Sequence, residues 1–322
     1  MTPSVSWRAK PGLQAGLRQC GMTMAELLVA MAVGLGVLLA AGSLFVWANR
    51  AFAAQLETAA MDDAGRYALD VLARAVRQSA AVDWERDSGG PDAAAPARLA
   101  GLDARSVTRT GSGIDNVVAA SVNGSDVLAL RFPGSGAPPG DGTTLDCAGF
   151  AVHRDEEGWS IFYVARNARG DAELRCKYRG NSGNWSADAV VGAVDSFQVL
   201  YGLDLDADGA PERYVNAGTL AGLDGSLALA GVTAAEREAD LRRRTHWKKI
   251  AGVRVALLLR GPHSPLEGAA SAIHDLFGPE YGGEQGGVDA GTRLAETALA
   301  GNGRPRYRKV FDATVALPSR VR

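Results

Sequence analysis

The sequence predicts an α+β fold in which a long N-terminal helix packs on a mainly antiparallel β-sheet with long loops. Three observations lead to this prediction. No charged residue occurs at the 23 positions from 27 to 49, residues 51–82 continue with helical spacing, and strand-like segments begin near residue 126. At 1.5 Å per residue, the uncharged run is roughly 34 Å long, enough to cross the hydrocarbon core of a bilayer.

A basic flank precedes this apolar run. Residues 1–20 contain Arg8, Lys10 and Arg18 and no acid. By the positive-inside rule, the flank is expected to stay in the cytoplasm, so the chain leaves the membrane at the far end of the run. Trp47, near that end, fits an interfacial aromatic residue. The sequence therefore predicts a single-pass anchor with an extracytoplasmic body.

Several N-terminal signals combine a basic flank with an apolar run. A secretory signal peptide could be cleaved at Ala-Phe-Ala, residues 51–53, but its apolar core is typically about 7–15 residues, shorter than this run. A lipoprotein signal would place its cysteine after the run, whereas Cys20 precedes it. A plain anchor leaves Glu26 without a role, although an acid in a membrane helix costs roughly 2.5–3.5 kcal/mol at the centre and normally has a partner.

Residues 21–27, GMTMAEL, resemble the cleavage motif of type IV prepilins. The resemblance implies that prepilin peptidase cuts after Gly21 and that Met22 becomes the N-methylated first residue, so the apolar helix stays on the mature protein. It also implies a filament-assembly role for Glu26, which would meet the α-amino group of a neighbouring subunit. The family usually has phenylalanine at the position of Met22 and a bulky aliphatic residue at that of Ala25.

Secondary structure beyond the membrane span is predicted from periodicity. One helix is expected from Thr23 to about Val82, with the second half packing on the body. A short helix is expected near 232–244, and loops over 133–144 and 261–306. Segments rich in β-branched and aromatic residues predict six strands: 126–132, 159–166, 172–179, 194–203, 249–260 and 309–317.

Cys147 and Cys176 are the two cysteines of the polar body. On the periplasmic side, they are expected to form a disulfide. The bond would contribute roughly 3–4 kcal/mol to stability in the chain-entropy model. Metal binding by this pair is disfavoured, because no CxxC pair or histidine cluster accompanies it.

The stretch YGLDLDADGAPERY carries a motif typical of metal binding. Asp204, Asp206 and Asp208, with the glycine that follows, match the start of a calcium loop, where alternate aspartates direct oxygens to one point. Val215 occupies the position of the usual bidentate glutamate, so Glu212 would have to complete the site. Two interpretations remain: a weak calcium site, and an acidic turn that binds no ion.

The C-terminal half carries a second resemblance. The runs VDSFQVLYGLDLDADGAPERY, HWKKIAGVRVALLLR and RKVFDATVALPSRVR are similar to those of PilW-type minor pilins. These share a strand ending in YG before an aspartate-rich turn, a tryptophan before a V-R-V-x-L-L strand, and a basic C-terminus. The resemblance implies a pilin-like fold and a role in pilus assembly.

The sequence contains no motif that indicates catalysis. It lacks GxSxG, HExxH, GxxxxGK and a strand-linked GxGxxG, and its four histidines are scattered. A net charge of −2 does not favour nucleic acid as a partner, and the basic run at 241–249 is more typical of a solvated helix end. We expect a protein that is not an enzyme and has no cofactor, apart from the calcium alternative.

The two resemblances together imply a minor pilin that helps to start or cap a type IV pilus, in the context of adhesion and motility. Its implied partners are prepilin peptidase, other major and minor pilins, and the inner-membrane assembly platform. The alternatives are a minor pseudopilin of a type II secretion system and a membrane-anchored periplasmic binding protein or enzyme. The expected organisation is a leader (1–21), a transmembrane and filament-core helix (22–49), an amphipathic continuation (50–84) and an extracytoplasmic β-rich body (85–322).

Overall fold

The computed structural model describes residues 21–80, 95–180, 182–263, 271–300 and 306–317, without the side chains of 262, 263 and 300. The predicted leader lies outside the described residues except for Gly21. The chain divides into two compact units, Met1–Ala54 and Gln55–Arg322. The domain bounds expected from the sequence stay predictions.

A single helix, α1, runs from Met24 to Ser79 and passes through both units. In the first unit, all residues from 21 to 50 are exposed. In the second unit, one face of α1 is buried at the i, i+4, i+7 spacing of a helix stripe: Met61, Gly65, Ala68, Leu72 and Val76. The predicted long helix is confirmed, and it ends at Ser79.

The described chain also contains thirteen strands, four further α-helices and two short 3-10 helices, Val122–Gly124 and His246–Lys249. The strands are β1 (Leu99–Leu102), β2 (Ser106–Val107), β3 (Val117–Val118), β4 (Val127–Pro133), β5 (Glu157–Arg166), β6 (Ala172–Arg179), β7 (Trp185–Gly192), β8 (Val194–Leu203), β9 (Arg213–Val215), β10 (Ile250–His263), β11 (Ile273–Asp275), β12 (Arg293–Ala295) and β13 (Arg306–Ala316). The helices are α2 (Ala217–Gly225), α3 (Ala234–Arg244), α4 (Pro279–Gln285) and α5 (Glu296–Ala300).

Two antiparallel sheets form most of the body. One has the order β1-β4-β5-β6-β7 and the other the order β13-β10-β8-β9. Their inner faces share one core with the buried face of α1, represented by Leu72, Phe162 and Leu257. All ten residues of β8 are buried, because both faces of the four-stranded sheet are covered. The α+β prediction is confirmed, and the predicted antiparallel sheet is divided into two.

A short hairpin covers part of the outer face of the five-stranded sheet. β2 pairs with β3, and Val107 and Ile114 of this segment join a cluster with Ile161 and Tyr163 of β5. Because residues alternate across a strand, Phe162 between them points to the inner core. Both faces of the sheet therefore bury apolar side chains.

Residues 271–300, here called the 271–300 excursion, cover the outer face of the four-stranded sheet. Leu276 and Phe277 form a cluster with Leu200 and Leu258. The prediction of an irregular stretch over 261–306 was wrong for this part, since β11, α4, β12 and α5 form there. These elements are too short to be stable alone and depend on burial against the sheet, which local sequence does not reveal.

The six predicted strands are confirmed as β4, β5, β6, β8, β10 and β13, with bounds shifted by a few residues. α3 confirms the short helix expected near 232–244, and residues 134–144 form a loop as expected. β7 was missed, because Ser186, Ala187 and Asp188 have low strand propensity. Its ladder with β6 supplies the stabilisation that its composition lacks.

The predicted disulfide between Cys147 and Cys176 is confirmed, with the two Cα atoms 5.9 Å apart. Cys176 is buried in β6, and Cys147 lies in the connection between β4 and β5. The Cys147 backbone N–H also donates to Ser160 Oγ at 3.0 Å. The bond therefore ties this long connection to the sheet.

Candidate functional site

Glu26 caps the beginning of α1. Its Oε2 accepts hydrogen bonds from the Thr23 backbone N–H at 2.8 Å and from the Thr23 hydroxyl at 3.1 Å. Thr23 Oγ1 in turn accepts from the Glu26 N–H at 3.3 Å. This reciprocal pair is a capping box, which satisfies donors that the start of a helix leaves unpaired. The chain itself therefore holds the Glu26 carboxylate in place.

The predicted cleavage position is accessible. No heavy atom lies within 4 Å of a Cβ built on Gly21, and the next residue, Met22, is 66% exposed. Among the described residues, Glu26 Oε1 has no hydrogen-bond partner, because both contacts from Thr23 go to Oε2. Cleavage after Gly21, methylation of Met22 and the intersubunit contact of Glu26 stay predictions.

The residues after Glu26 present an uncharged apolar surface. The large apolar side chains from Leu27 to Trp47 are 49–75% exposed. By length and composition, α1 can cross a membrane. An exposed apolar surface of this extent marks an interaction site, since water is an unfavourable surrounding for it. Suitable surroundings are lipid or other apolar helices.

Three predicted metal ligands converge in the loop between β8 and β9. One carboxylate oxygen from each of Asp204, Asp206 and Asp208 lies within 4.8 Å of the others. Asp204 and Asp206 also accept hydrogen bonds from backbone amides of this loop at 2.6 and 3.1 Å. Glu212 accepts from two loop amides at 2.9 and 3.4 Å. The spacing suits a cation, and the amide contacts equally suit a turn without one, so calcium binding stays a prediction.

The described histidine side chains lie in different parts of the body. His246 Nδ1 is 2.7 Å from Asp224 Oδ1, and His274 Nε2 is 3.2 Å from Glu296 Oε2. His153 lies in the connection between β4 and β5, beside two further acids. In these positions, a carboxylate orients each ring, and no two of these rings combine into one site.

An open groove of about 450 Å³ lies beside the second half of α1. Small and apolar residues form much of its lining, and its charged residues are Glu57, Arg260 and Arg306. Arg260 already pairs with Asp195 and Asp171. Its described lining residues do not include the combination of nucleophile and base that acyl or phosphoryl transfer requires.

Thr23 is the functional residue that the sequence interpretation missed. The signal was present, since Thr23 and Glu26 have the T-x-x-E spacing of a capping box before an apolar run. The structure adds a local role for Glu26 that is compatible with the predicted contact between subunits.

Comparisons with known proteins found one family model and similar solved structures. The family model described as Type IV Pilus-assembly protein W matches residues 161–319, from within β5 to beyond β13. No curated protein matches the chain significantly. Among solved structures, a type IV-like pilin from Thermus thermophilus aligns at 16% identity and a TM-score of 0.36, covering 81% of this chain and 97% of that chain. Through residues 161–319, the chain is similar to the PilW family of type IV pilus assembly proteins.

Proposed function

We propose that this protein is a minor pilin that takes part in starting or capping a type IV pilus, and that its work is assembly and not catalysis. The observation that carries the proposal is the start of α1, where an exposed, uncharged apolar helix follows Gly21 and Glu26. A peptidase that cuts after Gly21 leaves this helix on the protein. The PilW-type body agrees with the same role.

Before assembly, α1 would hold the protein in the inner membrane. The basic flank would be cytoplasmic and the body periplasmic. The cleavage position after Gly21 would then be within reach of prepilin peptidase, and the anchored protein would be within reach of the assembly platform. During assembly, the surface from Leu27 to Trp47 would exchange lipid for the helices of other major and minor pilins. This exchange keeps apolar side chains away from water in both states.

Glu26 would then meet the methylated α-amino group of a neighbouring pilin. Its Oε2 serves the capping box and its Oε1 has no partner in the described chain, so both interactions can exist together. Opposite charges attract more strongly in apolar surroundings than in water. The contact would therefore set the register between neighbouring helices.

The Gly21→Ala variant tests processing. We expect it to accumulate as a precursor that retains the leader, because the peptidase recognises the glycine before the cut. Gly34→Ala is the matched control, since neither glycine has a heavy atom within 4 Å of an added Cβ. Denaturing gels and mass spectrometry of the N-terminus provide the measurement. Mature-sized Gly21→Ala protein would rule out the prepilin interpretation.

The kind of filament is tested by fractionation. We expect the processed protein to be recovered with sheared pili. Recovery with secretion components instead would favour the pseudopilin alternative.

A further inference from the structure

Three aspartates from distant parts of the chain lie together in the body. Asp103 follows β1, Asp126 precedes β4, and Asp289 belongs to the 271–300 excursion. Asp126 and Asp289 are 3% and 2% exposed. We call these three residues the aspartate cluster. It lies outside the features that the proposed function uses.

The cluster connects the 271–300 excursion to the body. Asn216 Nδ2 donates to Asp103 Oδ2 and to Asp289 Oδ1, both at 3.0 Å. Tyr281, also in the excursion, donates its hydroxyl to Asp289 Oδ2 at 2.7 Å. The Asn216 amide cannot be turned around without loss, because its Oδ1 caps α2 by accepting from the Thr219 N–H at 2.9 Å.

Hydrogen bonds hold Asp126 from both sides. Its Oδ1 accepts from the Ala104 N–H and its Oδ2 from the Val199 N–H, each at 2.9 Å. Two buried oxygens near the cluster lack a hydrogen-bond partner among the described residues, Asp103 Oδ1 and Tyr201 Oη. The carboxyl oxygen can carry a proton, and the phenol hydroxyl can donate or accept a hydrogen bond.

The charges around the cluster do not balance. Asp103 experiences the negative charge of Asp289 and the positive charge of Arg105. Asp126 experiences the negative charges of both other aspartates. Tyr201 and Tyr281 are the further titratable groups that face these carboxylates. Three ionised carboxylates with one nearby guanidinium would leave buried charge uncompensated, which is costly.

A proton fits this position better than a divalent cation. Calcium takes six to eight oxygen ligands, but five of the six carboxylate oxygens already accept hydrogen bonds, and Asp103 Oδ1 is the remaining one. The Asn216 amide hydrogens also point at the two carboxylates between which a cation would sit.

We propose that the aspartate cluster is a proton-controlled latch that docks the 271–300 excursion on the sheet while it holds a proton and loosens it when the proton leaves. Burial raises the pKa of Asp103 to about 6, and the charge of Asp289 adds to the rise. Burial also raises the pKa of Asp126 well above its ordinary value, against the effect of its two amide donors.

The direction of the pH dependence follows from these pKa values. The folded protein binds the Asp103 proton more tightly than the unfolded chain, where the ordinary pKa is 3.8. The stabilisation is therefore complete below about pH 4 and is lost as the pH rises through about 6. The latch is closed in mildly acidic solution and weakened in alkaline solution.

Hydrogen–deuterium exchange on the full chain in detergent tests the latch. The readout is the exchange of peptides covering residues 276–292 at about pH 5 and about pH 8, after scaling for the intrinsic pH dependence of amide exchange. We expect exchange to be on the order of tenfold faster at the higher pH. A fully buried carboxyl group would give a larger change in exchange rate, but Asp103 is partly screened by water.

Asp103→Asn keeps the shape of the side chain and removes its charge. We expect this variant to stay protected at both pH values. Asp63→Asn, on the exposed face of α1, is the matched control and should behave as the wild type. Equal scaled exchange of the wild type at both pH values would overturn the proposal, and this comparison does not depend on any variant folding.

Two further outcomes would also overturn the latch. One is an Asp103→Asn variant that keeps the wild-type pH dependence. The other is full protection of the wild type at the higher pH after calcium chloride is added, which would mean that a cation balances the charge.

Discussion

At the scale of single residues, Glu26 combines a local role with one predicted between subunits. The capping box satisfies backbone donors at the start of α1, and replacing a good capping residue typically costs about 1 kcal/mol. A carboxylate in a membrane helix is costly unless it has partners, and Thr23 supplies two donors. The cap thus lowers the cost of keeping a charge where assembly would use it.

Glu26→Gln separates the two roles. Glutamine can still accept in a capping box but has no charge, so we expect normal cleavage and fewer pili than in the wild type. Thr23→Ala is the complementary variant, because it keeps the carboxylate and loses the hydroxyl. We expect it to keep more pili than Glu26→Gln, as counted by electron microscopy. The opposite order would mean that the cap, and not the charge, is what assembly needs.

At the scale of elements, the contact between α1 and the four-stranded sheet depends on a missing side chain. A Cβ at Gly65 would lie 2.5 Å from Phe311 Cδ1, which is closer than real atoms approach. Phe311 belongs to the shared core, and Lys309 beside it pairs with Asp62 of α1 at 2.8 Å. Gly65 therefore lets α1 approach β13 closely.

Gly65→Ala is expected to destabilise the body. Overpacking typically costs about 1–3 kcal/mol, and the better helix propensity of alanine returns about 1 kcal/mol at most. Gly222→Ala in α2 is the matched control, because no heavy atom lies within 4 Å of its added Cβ. Urea unfolding should show a lower midpoint for Gly65→Ala and an equal or higher midpoint for Gly222→Ala. Equal midpoints for both variants would mean that Phe311 moves aside without loss.

Strand prediction succeeded where composition and burial agree. β8 and β10 are rich in apolar and β-branched residues, and their central positions are buried on both faces. It failed for β11 and β12, which are three residues long and pair with each other over the sheet. For such elements the stabilising contacts are long-range, so a local window contains too little signal.

At the scale of the whole molecule, the two units differ in what they bury. Among the described residues, every buried apolar side chain lies from Met61 onward, in the unit that begins at Gln55. The described part of the first unit presents its large apolar residues on the surface. The folding core and the proposed assembly surface are therefore separate parts of the chain.

A chain beginning at Gln55 is expected to fold and stay soluble without detergent, because it keeps the buried stripe of α1 and loses the exposed apolar half. A chain beginning at Ala80 is the contrasting variant and should aggregate, since the inner faces of both sheets lose their cover. Size-exclusion chromatography with light scattering and thermal circular dichroism provide the measurement. A soluble, cooperatively unfolding chain from Ala80 would contradict this account of the core.

The sequence by itself determined the long helix, its uncharged half, the six main strands and the cysteine pair. These features depend on periodicity, on composition and on the compartment that the N-terminal segment predicts. All three can be read from residues that are close together in the sequence. The tertiary structure alone decided the close approach at Gly65 and the meeting of Asp103, Asp126 and Asp289. The residues in these contacts are far apart in the chain. The pKa values of the aspartate carboxyl groups rise only when folding removes them from water. The same holds for the 271–300 excursion, whose short elements exist because a sheet lies beneath them.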